Sequence, residues 1–286
     1  MLNHNNKTHT HYVGTISYEE KSNLNELKQT VREYRDSFES TYRSSLEFPV
    51  VPHKIHQLLR VMRGLQLMTR KGMLMRSDPS HSEEKRSVVR LAAYVSGFRF
   101  LEMFASDNDD VWNKKLRSAV LESGIDFQYT VLYIRNAASL SKDRIGMLRS
   151  LLLTGDDAKL MTPRDRDRGQ THVLEWLAKR NYNNNKKRYF TPSDAHDLFR
   201  RFVQTHIRMV FDEDMSCSLN LDPLRSHCVI SLCQSWNQVS LTDLVHELLI
   251  SSCENLLKQF SLCKTNSTDE EIILDENHKS LSLQDY

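Results

Sequence analysis

Between Ser82 and Ala105 the chain is apolar in almost every direction around a helix axis. Ser82-Glu83-Glu84-Lys85-Arg86 has the composition of a helix start, with acids in the first turn. Val88, Val89, Leu91, Ala92, Ala93, Tyr94, Val95, Phe98, Phe100, Leu101, Met103 and Phe104 follow. A surface helix carries one apolar stripe, so a stretch with no polar side predicts a central helix packed on several sides. Ser106-Asp107-Asn108-Asp109-Asp110 then supplies a loop and the cap of the next helix.

Glycine decides the expected class. Eight glycines in 286 residues is about 3%, against roughly 7% in average proteins. Tight turns and phosphate-cradling loops consume glycine, so its scarcity favours helices joined by polar loops and argues against a nucleotide-binding α/β enzyme. No G-x-x-x-x-G-K-[ST] loop, nucleophile elbow or His-Glu-x-x-His pattern is present. The expected fold class is therefore all-α: an irregular multi-helix bundle of about nine helices around the central buried helix. The expected domains are a disordered leader over 1–16, one helical domain over 17–263 with a sub-boundary near 212–222, and an acidic disordered tail over 264–286.

The expected helices follow from periodicity and capping. Ser17-Tyr18-Glu19-Glu20 has capping-box spacing and opens a helix to about Phe48, with a narrow seam of Leu24, Leu27, Val31, Tyr34, Phe38, Tyr42 and Leu46. That seam packs on the central helix or joins two copies into a homo-oligomer. Pro52 sits as the first residue of a second helix running to about Met75. Asp110 opens a helix that Gly124 stops, and Gly155 ends another over Lys142–Leu153. Over Ile125–Leu140 the alternation of Ile125, Phe127, Tyr129, Val131 and Tyr133 fits a strand, but with no second strand to pair it the segment is assigned helical. Thr162 to Gly169 is assigned as a turn of alternating charge, followed by a helix around Val173–Arg180. Thr191-Pro192 starts a helix to Val210, Pro223 another to about Trp236, and Ser240-Leu241-Thr242-Asp243 a last one to about Cys263.

Charge is uneven. Up to Phe211 there are 35 Lys and Arg against 24 acids, and from Asp212 onward 4 against 13. A basic body of this kind meets anions, while an acidic end screens it or recruits a basic partner. Between His53 and Phe100 ten Lys and Arg face three acids. On the second helix His56, Arg60, Arg63, Arg70 and Lys71 gather on one side, opposite Ile55, Leu58, Val61, Met62, Leu65 and Met68. Guanidinium groups so arranged take phosphate oxygens two at a time. Lys186, Lys187 and Arg188, flanked by Tyr182, Tyr189 and Phe190, add cations next to stackable rings, the pairing used for single-stranded nucleic acid.

Five cysteines, all from Cys217 onward and odd in number, read as reduced thiols. Cys228 and Cys233 are five residues apart rather than at zinc-ligand spacing, so His227, Cys228, Cys233, His246 and Cys253 are assigned no metal, and no cofactor is expected. In the tail, Asp269-Glu270-Glu271-Ile272-Ile273-Leu274-Asp275-Glu276 resembles a SUMO-interacting motif. That resemblance implies that Ile272, Ile273 and Leu274 add a strand to a partner's sheet while the acids face basic residues.

These features lead to an expected function without catalysis: an intracellular helical adaptor, scaffold or regulatory protein, cytoplasmic or nuclear, whose basic face binds an anionic protein partner. The alternatives are an RNA- or DNA-binding protein of viral matrix or nucleoprotein type using the same face, and an enzyme whose site is assembled from distant residues. No apolar run reaches the ~18 residues of a membrane span.

Overall fold

Five short runs that the sequence embeds in longer apolar patterns are the strands of one parallel sheet. The computed structural model describes residues 23–67, 71–77, 82–184, 191–214, 221–233, 236–249 and 252–253. In chain order the elements are α1 (Leu24–Tyr42), α2 (Pro52–Gln66), β1 (Gly72–Ser77), α3 (Ser82–Val95), β2 (Arg99–Phe104), α4 (Asp109–Ile125), β3 (Thr130–Arg135), α5 (Lys142–Thr154), α6 (Pro163–Asn184), α7 (Pro192–His206), β4 (Ile207–Asp214), α8 (Asp222–Arg225), β5 (Cys228–Leu232) and a helix α9 over 238–249. The strands lie in the order β2-β3-β4-β1-β5, each pair parallel.

The all-α expectation is thus overturned: strands alternate with helices in an α/β fold. Each error has a local cause. The expected central helix ends at Val95, because Gly97 adopts φ +72 and the Phe98 amide turns back to the Ala93 carbonyl at 2.8 Å; its second half is β2. The second expected helix ends at Gln66, and Met73, Leu74 and Met75 belong to β1. Ile125–Leu140 contains β3, whose missing partners are β2 and β4. Val210 lies in β4, beyond the end of α7, and β5 replaces most of the helix expected after Pro223. The turn expected from Thr162 is the start of α6, where Thr162 and Asp165 exchange capping hydrogen bonds.

Alternate residues of each strand point to opposite faces, and each face is covered by helices. Leu74, Leu132, Ile134, Met209 and Phe211 pack with α4, α5, α6 and α7, around Trp112, Leu116, Leu148, Val173 and Phe199. Met73, Met75, Val131, Tyr133 and Val210 pack with α1, α2 and α3, around Phe38, Ile55, Val61, Val89 and Leu91. The α1 seam enters this second layer within the chain: Val31 and Phe38 are buried there, whereas Leu24 and Tyr42 remain exposed. β4 and β5 flank β1 in the same sheet, and residues 215–220 between them lie outside the described residues. The leader over 1–16 and the tail over 264–286 lie outside the described residues.

Candidate functional site

In an open parallel sheet, ligands bind beyond the carboxyl ends of the strands, where the following helices begin. β1 and β4 reach that edge side by side, with Met75 opposite Asp212, Arg76 opposite Glu213 and Ser77 opposite Asp214. α3 starts there at Ser82, and Lys85 lies in its first turn.

The Lys85 side chain is fully buried, and its ammonium forms an ion pair with Asp212. The same ammonium donates to the Glu213 carbonyl at 3.4 Å. The other carboxylate oxygen of Asp212 accepts from the Ser82 hydroxyl at 2.8 Å and from the Tyr133 hydroxyl at 3.1 Å. Burial, and then the adjacent Asp212 charge, hold the Tyr133 phenol far above its ordinary pKa, so it acts as a neutral donor. Glu213 is buried beside Arg76, whose Nε lies 3.0 Å from its carboxylate. Burial raises the Glu213 pKa above the usual carboxylate range, with the Arg76 charge pulling the other way.

The acids at the head of α3 are each matched by a cation. Glu83 lies 2.5 Å from Arg135 at the end of β3, and Glu84 lies 2.5 Å from Lys54 of α2. The Trp236 indole donates to the second oxygen of Glu84 at 2.9 Å. Arg86 meets Glu102 of β2 at 2.8 Å.

A lysine at the start of the helix that follows a β-strand is the group that reaches nucleotide phosphates in a P-loop. Acids at the end of the neighbouring strand are hard oxygen donors of the kind that hold magnesium. In residue type and place, Lys85 fits a group that meets nucleotide phosphate, with Asp212 against it; Glu213 turns to the other face of the sheet, beside Arg76, and among the described residues no group of three or more His, Cys, Asp or Glu could hold a metal ion. The loop itself departs from the usual pattern. Counting from Lys85, Pro79 and Glu84 stand at the two glycine positions and Arg86 at the Ser/Thr position. Residues 78–81 are outside the described part of the chain.

A parallel α/β sheet with a lysine at the head of the helix after β1 is an arrangement shared with P-loop proteins. The family model of the P-loop containing dynein motor region D4 matches residues 46–268, and the chain belongs to that family. No curated protein matches the sequence. Fold and family together overturn the expected non-catalytic helical adaptor, its nucleoprotein-like alternative and the assignment as a non-enzyme, because the family is of nucleotide-binding, ATPase type. No helix among the described residues is long and apolar enough to cross a membrane.

The sequence-predicted site residues fall elsewhere. His56, Arg60 and Arg63 are exposed on α2. His56 and Arg60 line a hollow with His53, Gln57 and Leu232, while Arg60 and Arg63 border an apolar groove along β5. Lys71 is separate from them, half-buried before β1 near Leu151, Val203 and Gln204. Burial and then the Arg208 charge lower its pKa. Arg70, Lys186, Lys187, Arg188, Ile272, Ile273 and Leu274 lie outside the described residues. Lys85, Asp212, Glu213, Ser82 and Tyr133 were all missed by the sequence reading. The available signal was the run Ile207-Arg208-Met209-Val210-Phe211, apolar apart from Arg208 and closed by Asp212-Glu213, which marks a buried strand ending in acids as readily as the end of a helix.

Proposed function

We propose that this chain is a nucleotide-binding module of ATPase type that works as one region of a dynein-like motor. The observation that supports this most directly is Lys85. It stands on the helix after β1, at the carboxyl edge of a parallel sheet, with Asp212 and Glu213 at the end of the adjoining strand. When bound, a nucleoside triphosphate with magnesium supplies the polyphosphate charge and the hydrolysable bond. Lys85 and the first turn of α3 would meet that charge, while Asp212 and Arg135 lie beside them and Glu213 is held by Arg76 on the other face of the sheet. The work of such a module is done against other protein segments, so protein partners and an intracellular setting go with this reading.

The test is a titration of the purified full chain with a fluorescent ATP analogue and magnesium. Saturable binding that is competed by ATP and ADP and reduced by Lys85→Ala is the expected result. Absence of binding at millimolar nucleotide would overturn the reading.

A further inference from the structure

Among the described residues β5 ends the sheet, so one side of its backbone has no neighbouring strand there. The Gly72 amide donates to the His227 carbonyl at 3.4 Å and the Cys233 amide to the Arg76 carbonyl at 2.8 Å. In a parallel pair this turns the odd-numbered residues towards β1, and the backbone groups of Cys228, Ile230 and Leu232 point away from the sheet. The side chains of Ile230 and Leu232 are 51% and 53% exposed. An apolar edge left open in this way is a template for a further strand. Arg60 and Arg63 of α2 form one wall of the groove along it, over a floor of Met73, Val229, Ile230 and Leu232. His53 and His56 extend that wall in the adjoining hollow, which shares Arg60 and Leu232, and no carboxylate lines either one among the described residues.

We propose that residues 269–276 of the same chain dock in this groove as a strand added beside β5. The groove calls for an occupant with an apolar middle and acidic ends, and Asp269-Glu270-Glu271-Ile272-Ile273-Leu274-Asp275-Glu276 has that order. Leu74, opposite Ile230, packs in the layer of α4 to α7, so Ile230 and Leu232 point to that side of the sheet and Val229 to the α2 side. With Ile272 and Leu274 set beside Ile230 and Leu232, alternation turns Glu271, Ile273 and Asp275 to the α2 side. There Ile273 meets Val229 and the two acids meet Arg60 and Arg63. The chain is long enough. Nineteen residues separate Leu249 from Asp269, and they span about 65 Å if extended and about 30 Å even as helix, against about 22 Å for the whole of α2. Before that, the chain passes the histidine end of the groove, where the Trp236 ring lies 5.5 Å from that of His53. A second copy is the poorer occupant, because pairing β5 with β5 would set two cationic walls on the same face of one joined sheet. Docking within the chain thus covers the edge until a competing acidic and apolar strand displaces it.

The experiment compares the full wild-type chain with the full chain carrying Ile272→Asp and Leu274→Asp, by hydrogen exchange over β5 and by fluorescence anisotropy with a labelled synthetic peptide of residues 266–279. The β5 amides are expected to exchange faster in the double variant. That variant is also expected to bind the peptide about tenfold or more tightly than wild type, whose own segment competes at an effective concentration on the order of millimolar. Adding Arg60→Glu and Arg63→Glu to it should weaken peptide binding about tenfold or more, as opposed charges become like charges. Should that charge reversal fail to fold, Ile230→Asp in the same background carries the test and should weaken peptide binding likewise. No peptide binding by the folded double variant would overturn the proposal. Equal peptide affinity and equal β5 exchange in wild type and the double variant would also overturn it, leaving the groove to a strand from another chain. A wild-type dimer in sedimentation that Ile230→Asp dissociates would overturn it in favour of a second copy.

Discussion

Lys54 of α2 and Glu84 of α3 form an ion pair of 2.5 Å that closes the flank of the candidate site, with the lysine side chain only 3% exposed. The same ammonium lies 4.7 Å from the centre of the Trp236 ring, and the Trp236 indole donates to Glu84. One carboxylate thus joins α2, α3 and the segment leading into α9. Glu84→Ala leaves a buried ammonium without this partner and should cost about 2–3 kcal/mol. Chemical denaturation monitored by tryptophan fluorescence measures the loss, and Glu84→Gln should recover part of it by keeping a hydrogen-bond acceptor for the indole.

Arg208 does structural work on the amino side of the sheet. Its buried guanidinium donates to the carbonyls of Leu65 at 2.7 Å and of Thr205 and Ile207 at 2.9 Å, joining the end of α2 to the end of α7. Arg208→Ala strands these carbonyls and opens a void, at an expected cost of about 3 kcal/mol. Burial lowers the Arg208 pKa, but the group remains charged at neutral pH. The loss should therefore be nearly constant between about pH 6 and about pH 8, where a guanidinium does not titrate, when denaturation curves are compared across that range.

Gly155 ends α5 with φ +73, and a β-carbon built there would lie 2.2 Å from the Arg200 carbonyl of α7. Gly155→Ala combines left-handed strain with a backbone collision, so a loss of about 2 kcal/mol or more is expected. By contrast, a β-carbon at Gly146 meets nothing within 4 Å. Gly146→Ala, inside α5, should stabilise the protein by roughly 0.5–1 kcal/mol. Opposite shifts in melting temperature for the two variants are the measurement.

Asp165 couples stability to acid. Burial alone would raise its pKa, but hydrogen bonds from Arg117 and from the Thr162 hydroxyl and amide outweigh that and hold the carboxyl below the ordinary value of 3.8. A depressed carboxylate pKa means that the folded state holds fewer protons than the unfolded one. The contribution is complete above the unfolded pKa and is lost as pH falls through the folded one. Asp165→Asn should cost about 1 kcal/mol at pH 7 through the weakened cap of α6. The gap between variant and wild type should close below the ordinary carboxylate pKa in a pH series of denaturation curves.

Most helix starts were legible in the sequence, that of α6 excepted, whereas of the strands only β3 showed any alternation. Asn108 at α4, Ser141 at α5 and the Thr191–Asp194 capping box of α7 each satisfy orphan amides within a few residues of themselves, and Pro52 at the head of α2 removes one by lacking an N–H. Gly155 at the end of α5 is equally local. The strands lack such a mark, because parallel strands buried on both faces lose the apolar–polar alternation that identifies a half-exposed strand. Thr130 to Ile134 is buried at every position, as is Ile207 to Glu213. The run of β4 joins smoothly onto the apolar pattern of α7, which is overextended in the sequence reading for that reason, whereas β2, a half-exposed edge strand, is hidden by the apolar residues that continue from the end of α3.

By itself the sequence determined where α2, α3, α4, α5 and α7 begin, which faces of α1, α2 and α7 are apolar, and that no described helix has the length and apolarity to cross a membrane. Those properties depend on spacings of three to four residues and on single side chains next to single amides. Only the tertiary structure decided the class of the fold and the place of the site. Strand pairing brings Ser82 and Lys85 to Asp212 and Glu213 across separations of 130 and 128 residues. A hydrogen-bonded ladder between distant segments leaves no period in either one. The meaning of Lys85 likewise depends on burial against a carboxylate that the sheet supplies, since a lysine in the first turn of a solvated helix would be an ordinary surface charge.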